Sequence, residues 1–301
     1  MKPRILFLPA FLDGLSPMSA SVRFRARWPA KYMVNADCYD GTQRLADYNA
    51  FVFQKFYLTD KARTWIRTFR AAGATLAFDL CDADWLLSET HYHRLFAVLP
   101  LFDFAVAPTR LLVDWLNQWL PTYFIPDRLD LEMHTERHEH NRGSAPSLIW
   151  FGNSANLVTL EEMWPTVSEL GLSLTILADQ LVKPWDSRDI TFVKWTLEGA
   201  NAEIARHDIA LNPKINYGHF AYKSENKTVT AWALGVPVAK TLDELAQLLN
   251  YDVRVDEASR RLQEVAELWD VRISADAWNM LPWVKDIKGV IINEGTFRCK
   301  K

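Results

Sequence analysis

The chain has 301 residues, 49% hydrophobic and 24% charged, which fits a folded protein with room for two domains and excludes a disordered one. Its formal net charge of -3 gives no general attraction to a phosphate backbone, so nucleic-acid binding would need a local basic patch. No apolar run approaches the ~20 residues that span a bilayer.

The opening "MKPRILFLPAFLDG" faintly imitates a signal peptide, but Pro9 interrupts the apolar run and Asp13 ends it early. It reads as a first buried strand. The three cysteines, Cys38, Cys81 and Cys299, are widely spaced and offer neither a CxxC pair nor zinc spacing. Reduced thiols in a cytoplasmic protein are the expectation, and the sequon Asn226-Lys227-Thr228 is then accidental.

Strands alternate with helices from the start. "RILFLPAF" (4–11) is a strand, followed by a polar loop and a helix near 22–34. "AFVFQKF" (50–56) and "TLAFDLCD" (75–82) are strands around the helix "DKARTWIRTFRAAG" (60–73). A helix at 91–100, a strand at 102–109, a helix at 110–120 and a strand at 122–127 close this half. Short apolar runs without alternation mark strands buried on both faces, as in parallel sheets.

The segment "DLEMHTERHEHNRGSAPS" (130–147) is polar, charged and without periodicity, the best candidate for a joint. Alternation then restarts: strand 147–153, helix 157–171, strand 172–179, strand 189–195, helix 198–207 and strand 208–213. A further helix and strand follow within "KSENKTVTAWALGVPVA" (223–239), and helical patterns cover 241–250, 256–269 and 274–288. Two βα halves with a polar joint predict an α/β protein of two Rossmann-like, doubly wound domains facing a cleft. The expected boundaries are 1–135 and 145–273, with the tail 274–301 returning to the first domain on Trp278, Leu281 and Trp283.

Within 223–239, Ser224 reads as an N-cap, Gly235 as the helix stop, and Lys227 sits in the first turn with Lys223 just before it. A helix N-terminus is already positive, so lysines there either point into water or await an anion held by the free amides. The three arginines of "SASVRFRARW", Arg23, Arg25 and Arg27, share one side in a loop or strand and spread over several faces in a helix. "DLCDADW" places Asp79, Asp82 and Asp84 at and beyond a strand end, where α/β folds put active groups; turn capping is the competing role. His91, His93, His134, His138 and His140 read as solvated, because a charged joint is a poor host for a zinc site. His207 reads as a residue at a helix C-terminus. No P-loop, GxGxxG or nucleophile elbow is present, which argues against kinase, dehydrogenase and hydrolase chemistry.

The order Asn212-Pro213, polar loop, capped helix, "ALGVPV" resembles the donor half of GT-B glycosyltransferases of the group 1, family 4-like kind. "LIWFGNSANL" is similar to the glycine loop after the first strand of their C-terminal domain, and "SASVRFRARWPAKYM" to the loop and first helix of their acceptor domain. Many retaining members carry two glutamates where this chain has Tyr222 and Thr230, which leaves donor sugar and stereochemical outcome open.

The resemblance implies a glycosyltransferase using a nucleotide-sugar donor, no metal and no further cofactor. It implies donor binding by Gly152, Asn153, Lys214, Lys223, Ser224, Asn226, Lys227 and Thr228, with Arg23 or Arg25 meeting a phosphate. Asp82, then Asp84, is the candidate base for the acceptor hydroxyl. The acceptor is a glycan, a small molecule or a modified nucleic acid; the 13 tryptophans suit sugar rings or bases. The rivals are a non-catalytic nucleotide-sugar binder, favoured by the missing glutamates, and a transferase acting on modified DNA bases.

Overall fold

The computed structural model describes residues 3–16, 19–143, 145–180 and 190–283. By their contacts the described residues form two units. One comprises those of Met1–Arg128, Tyr217–Ser224 and Val271–Lys301, the other those of Leu129–Asn216 and Glu225–Asp270. The loop 217–224, expected with the second domain, therefore belongs to the first unit.

The first unit is built on six parallel strands, β1 (Ile5–Pro9), β2 (Ala36–Cys38), β3 (Ala50–Gln54), β4 (Thr75–Asp79), β5 (Phe104–Ala107) and β6 (Thr122–Phe124). Their order is β2-β1-β3-β4-β5-β6, so the winding reverses between β1 and β3. The apolar runs follow from burial on both faces: Leu6, Leu8, Phe51 and Phe53 enter one core, Ile5, Phe7, Ala50 and Val52 the other.

Five helices fill the crossovers: α1 (Ala20–Val22), α2 (Trp28–Tyr32), α3 (Asp60–Ala71), α4 (Glu89–Val98) and α5 (Arg110–Leu116). Thr59, Ser88 and Thr109 cap the last three by accepting from backbone N–H groups. The π-helical turn Arg23–Arg27 joins α1 to α2.

The second unit has five parallel strands, β7 (Leu148–Gly152), β8 (Leu174–Ala178), β9 (Ile190–Lys194), β10 (Ile209–Leu211) and β11 (Val238–Ala239). Their order, β11-β10-β7-β8-β9, reverses between β7 and β10. The helices are α6 (Trp164–Glu169), α7 (Ala200–Ile204), α8 (Asn226–Ala233), α9 (Leu242–Leu248) and α10 (Tyr251–Leu268). The single helix expected over 157–171 is instead a 3-10 run, Ser154–Leu160, followed by α6. Pro165 lies in the first turn of α6, where its missing N–H costs nothing and where a continuous helix would lose a bond.

The chain returns to the first unit as α11 (Val271–Asn279). Trp278, Leu281 and Trp283 are buried there with Ile5, Phe7 and Phe104, and Trp278 meets the Phe7 ring edge-on at 5.2 Å. Residues 284–288 of the expected last helix lie outside the described residues. No helix among the described residues is long and apolar enough to cross a membrane.

Candidate functional sites

In the first unit, chemistry-bearing side chains gather where β1, β3 and β4 end. Lys55 follows β3 with φ of 50°, the only positive φ at a non-glycine among the described residues. Such strain persists only where surrounding structure enforces it. Lys55 Nζ lies 2.8 Å from Asp82 Oδ2 and 2.9 Å from Asp84 Oδ1. Lys223 Nζ holds the other Asp82 oxygen at 2.7 Å, and the Tyr57 hydroxyl donates to Asp84 Oδ2 at 3.1 Å. Asp13, beyond β1, accepts from the backbone N–H groups of Tyr57, Leu58 and Thr59 and so fixes this turn.

The two aspartates are not equivalent. Burial alone would raise both carboxyls, but at Asp82 the ammonium groups of Lys55 and Lys223 outweigh it and hold the group well below the usual range. At Asp84 burial wins over Lys55, and the carboxyl is pushed up. The Asp82 side chain is a quarter exposed, whereas that of Asp84 is 3% exposed. Of the two candidates Asp82 is the more exposed, with both of its oxygens held by ammonium groups in this arrangement.

Arg25 is not placed to meet a ligand phosphate. The π-helical turn directs it inward, where it is 1% exposed. Its Nη2 bonds Asp79 Oδ1 at 2.6 Å, its Nε reaches both Asp79 oxygens at 3.1 Å, and its Nη1 reaches Asp127 Oδ1 at 3.2 Å and the Ile125 carbonyl. The fork is spent on two buried carboxylates. Arg23 lies over the Trp28 ring at 5.3 Å, and burial pushes its guanidinium down to about 10.

Ser224 does not cap α8. Its hydroxyl donates to Asp127 Oδ2 at 2.6 Å, which anchors the 217–224 loop within the first unit. Lys223 and Lys227 thereby fall in different units.

In the second unit the reversal between β7 and β10 marks where an open α/β sheet receives ligands, beyond the strand ends. Gly152 ends β7 with φ of 149°, and a Cβ there would come within 2.6 Å of Lys227 Nζ. Lys227 reaches over this glycine to the Trp150 ring, 4.3 Å from its centre. Asn153 accepts from Ala155 N–H at 3.0 Å, and Ser154 N–H donates to Asp179 at 2.7 Å, so the turn after β7 is fixed from both sides.

Beside it, Asn212 beyond β10 donates to Thr228 Oγ1 at 2.9 Å, and Thr228 is wholly buried. Asn226 accepts from Thr230 through its carbonyl at 2.7 Å. Glu225 occupies the N-cap position of α8 without a side-chain cap bond. Its carboxylate pairs instead with Lys214, and with Lys240 at 3.1 Å. Burial opposes its charge, but the two lysines prevail and hold its carboxyl low.

Sequence reasoning missed Lys55, Tyr57, Asp13, Asp127, Glu225 and Lys240. Lys55 and Asp13 could have been found, since each follows an apolar run at a strand end. The partners that arrive from distant segments leave no local signal. The reading of the joint histidines as solvated also fails: His138 and His140 side chains are 8% and 7% exposed, and both face Asp208. The joint is pinned to its own unit, with His138 N–H donating to the Leu234 carbonyl at 2.8 Å.

No protein-family model matches the chain, and no curated protein matches its sequence. Solved structures do. T4 phage β-glucosyltransferase in complex with its UDP-glucose substrate aligns over 91% of this chain and 97% of its own, with a TM-score of 0.56 and 9% identity. A second structure of the T4 phage enzyme gives a TM-score of 0.55 at 11% identity over the same shares. A β-glucosyltransferase described as a DNA-modifying enzyme gives 0.54 at 12%, again over 91% and 97%. Two parallel-sheet α/β units and these likenesses establish the fold: the chain has the GT-B architecture of glycosyltransferases.

Proposed function

We propose that the protein transfers a sugar from a nucleotide-sugar donor, with the diphosphate seated where β7 and β10 end. The observation that carries this reading is the switch point of the second sheet. There a positive-φ glycine, Gly152, lies under the Lys227 ammonium at the start of α8. A glycine admits close approach of phosphate to backbone, and helix amides with a lysine supply the positive field. Asn153, Lys214, Asn226 and Thr228 frame the same strand ends, with Lys214 held by Glu225. Lys223 binds Asp82 in the first unit and is assigned there.

Asp82 takes the base role, coupled to release of Lys223, because two ammonium groups on one carboxylate suppress its basicity. UDP-glucose is the first donor to test, since the T4 phage enzyme is described in complex with it as substrate, and DNA is one acceptor to test, since a β-glucosyltransferase of this fold is described as a DNA-modifying enzyme. The test is calorimetric titration of UDP and UDP-glucose into wild type, Lys227→Gln and Gly152→Ala, with transfer and donor hydrolysis followed separately. Loss of a charge-assisted phosphate contact corresponds to roughly 1.5–3 kcal/mol, or more than tenfold in affinity. Equal affinity in all three proteins removes the diphosphate from this place. Binding without transfer or hydrolysis replaces the transferase with a nucleotide-sugar binder.

A further inference from the structure

The second unit holds a cluster outside the strand-end site. His138 and His140 come from the polar joint, and Asp208 immediately precedes β10. Hydrogen-bond chemistry fixes which nitrogens carry protons. His138 Nδ1 lies 2.8 Å from the Ala205 carbonyl, which only accepts, so that nitrogen bears hydrogen. His140 Nε2 lies 3.1 Å from the Gly235 carbonyl and bears hydrogen for the same reason. In neutral rings the opposite nitrogens then present lone pairs.

Both lone pairs face a carboxylate oxygen. His138 Nε2 is 3.2 Å and His140 Nδ1 3.6 Å from Asp208 Oδ1. His140 Nδ1 is buried and makes no hydrogen bond. The other carboxylate oxygen is occupied, accepting from Ser147 N–H at 2.9 Å and from the Ser147 hydroxyl at 3.1 Å. With both rings neutral, three electron-pair donors converge with no proton between them, an arrangement that a bound cation completes.

We propose that His138 Nε2, His140 Nδ1 and Asp208 Oδ1 bind a divalent transition-metal ion of the zinc class. Ligand atoms ~2.0–2.1 Å from a tetrahedral ion sit about 3.3 Å apart. One ligand atom from each of the three residues already lies within 4.8 Å of the others, and His138 Nε2 and His140 Nδ1 are 3.2 and 3.6 Å from Asp208 Oδ1. The Ala205 and Gly235 carbonyls orient each ring through its far nitrogen, the outer support that imidazole ligands use. Arg254 is the competing cation, with Nε 3.7 Å from Asp208 Oδ1, but its Nη1 is held by the Leu248 and Leu249 carbonyls. The ion would staple the joint to the start of β10. Three protein ligands leave a position for water.

The test uses the full chain, freed of metal with a chelator, titrated with zinc chloride and separately with cobalt(II) chloride. The expected result is one zinc per chain, a higher melting temperature with zinc, and the visible absorption of four-coordinate cobalt. His140→Gln should weaken zinc binding at least 100-fold and abolish the cobalt spectrum, while His93→Gln, at an exposed histidine, changes neither. If His140→Gln does not fold, wild-type stoichiometry and the cobalt spectrum decide. No stoichiometric metal in wild type, or unchanged affinity in folded His140→Gln, overturns the site and leaves protonated imidazoles facing Asp208.

Discussion

Removing Arg25 should be among the most damaging single changes in the first unit. The guanidinium and its partners Asp79 and Asp127 are 1%, 0% and 6% exposed, so solvent screening offers little relief. A methionine at position 25 would keep much of the volume but leave two carboxylates buried and unpaired. Breaking a buried pair from one side costs about 3–5 kcal/mol, and here one cation serves two anions, so the upper end is expected. Arg25→Lys should cost less but still more than ~1 kcal/mol. A single ammonium cannot reproduce a fork that spans Asp79, Asp127 and the Ile125 carbonyl.

The pH dependence sharpens this. Burial raises the carboxyls of both Asp79 and Asp127 in the native chain, with Arg25 pulling them back. A raised folded-state carboxyl binds protons more readily than the unfolded chain, so its contribution falls as pH rises from the unfolded value near 3.9 through the folded one. Without Arg25 that window extends upward, and the deficit of Arg25→Met should be larger at pH 7.5 than at pH 5. Urea denaturation at both values measures it, with Arg25→Met/Asp79→Asn as the partner variant. Removing one of the stranded charges should recover ~1–3 kcal/mol. A deficit under about 1 kcal/mol, or one equal at the two pH values, would refute a buried triad held together by Arg25.

Gly152→Ala should destabilise by about 1–3 kcal/mol from its positive φ alone, and displacing Lys227 from Trp150 should add ~0.5–1 kcal/mol. A Gly152→Ala/Lys227→Met cycle in urea should recover only that second part. His207 donates through Nδ1 to the Glu203 carbonyl and accepts through Nε2 from Thr175, and burial lowers its pKa. A lowered folded value means stability is full above the unfolded value near 6.5 and declines as pH falls below it, so His207→Gln should flatten the stability profile between pH 7 and 5. Asp82→Asn should lower any sugar transfer roughly 10²–10⁴-fold with donor affinity nearly unchanged; unaltered transfer in the folded variant removes Asp82 from the chemistry.

The elements legible in the sequence were those whose information is local. Strands β1, β3, β4, β7 and β8 announce themselves as apolar runs because both faces are buried. β2 was missed: Ala36–Cys38 is short and half-buried throughout, so it carries no run to detect. α10 starts at Tyr251 rather than 256 because Asn250 caps it, its side chain accepting from Asp252 and Val253 N–H groups.

The two lysines that bracket the start of α8 show where such reading ends. As a string, Lys223 and Lys227 look like one cationic patch aimed at one anion. In three dimensions Lys223 answers to Asp82, a residue 141 positions away, and Lys227 lies over Trp150 and Gly152 in the other unit. The change of unit falls between Ser224 and Glu225, because Ser224 spends its hydroxyl on Asp127 instead of capping. A cap preference is worth only ~1 kcal/mol, and a bond to a buried carboxylate exceeds it. The motif kept its helix but lost its cap, and the charge pattern divided between two units. Local propensity fixes elements; which charges act together is decided by the distant carboxylates they meet.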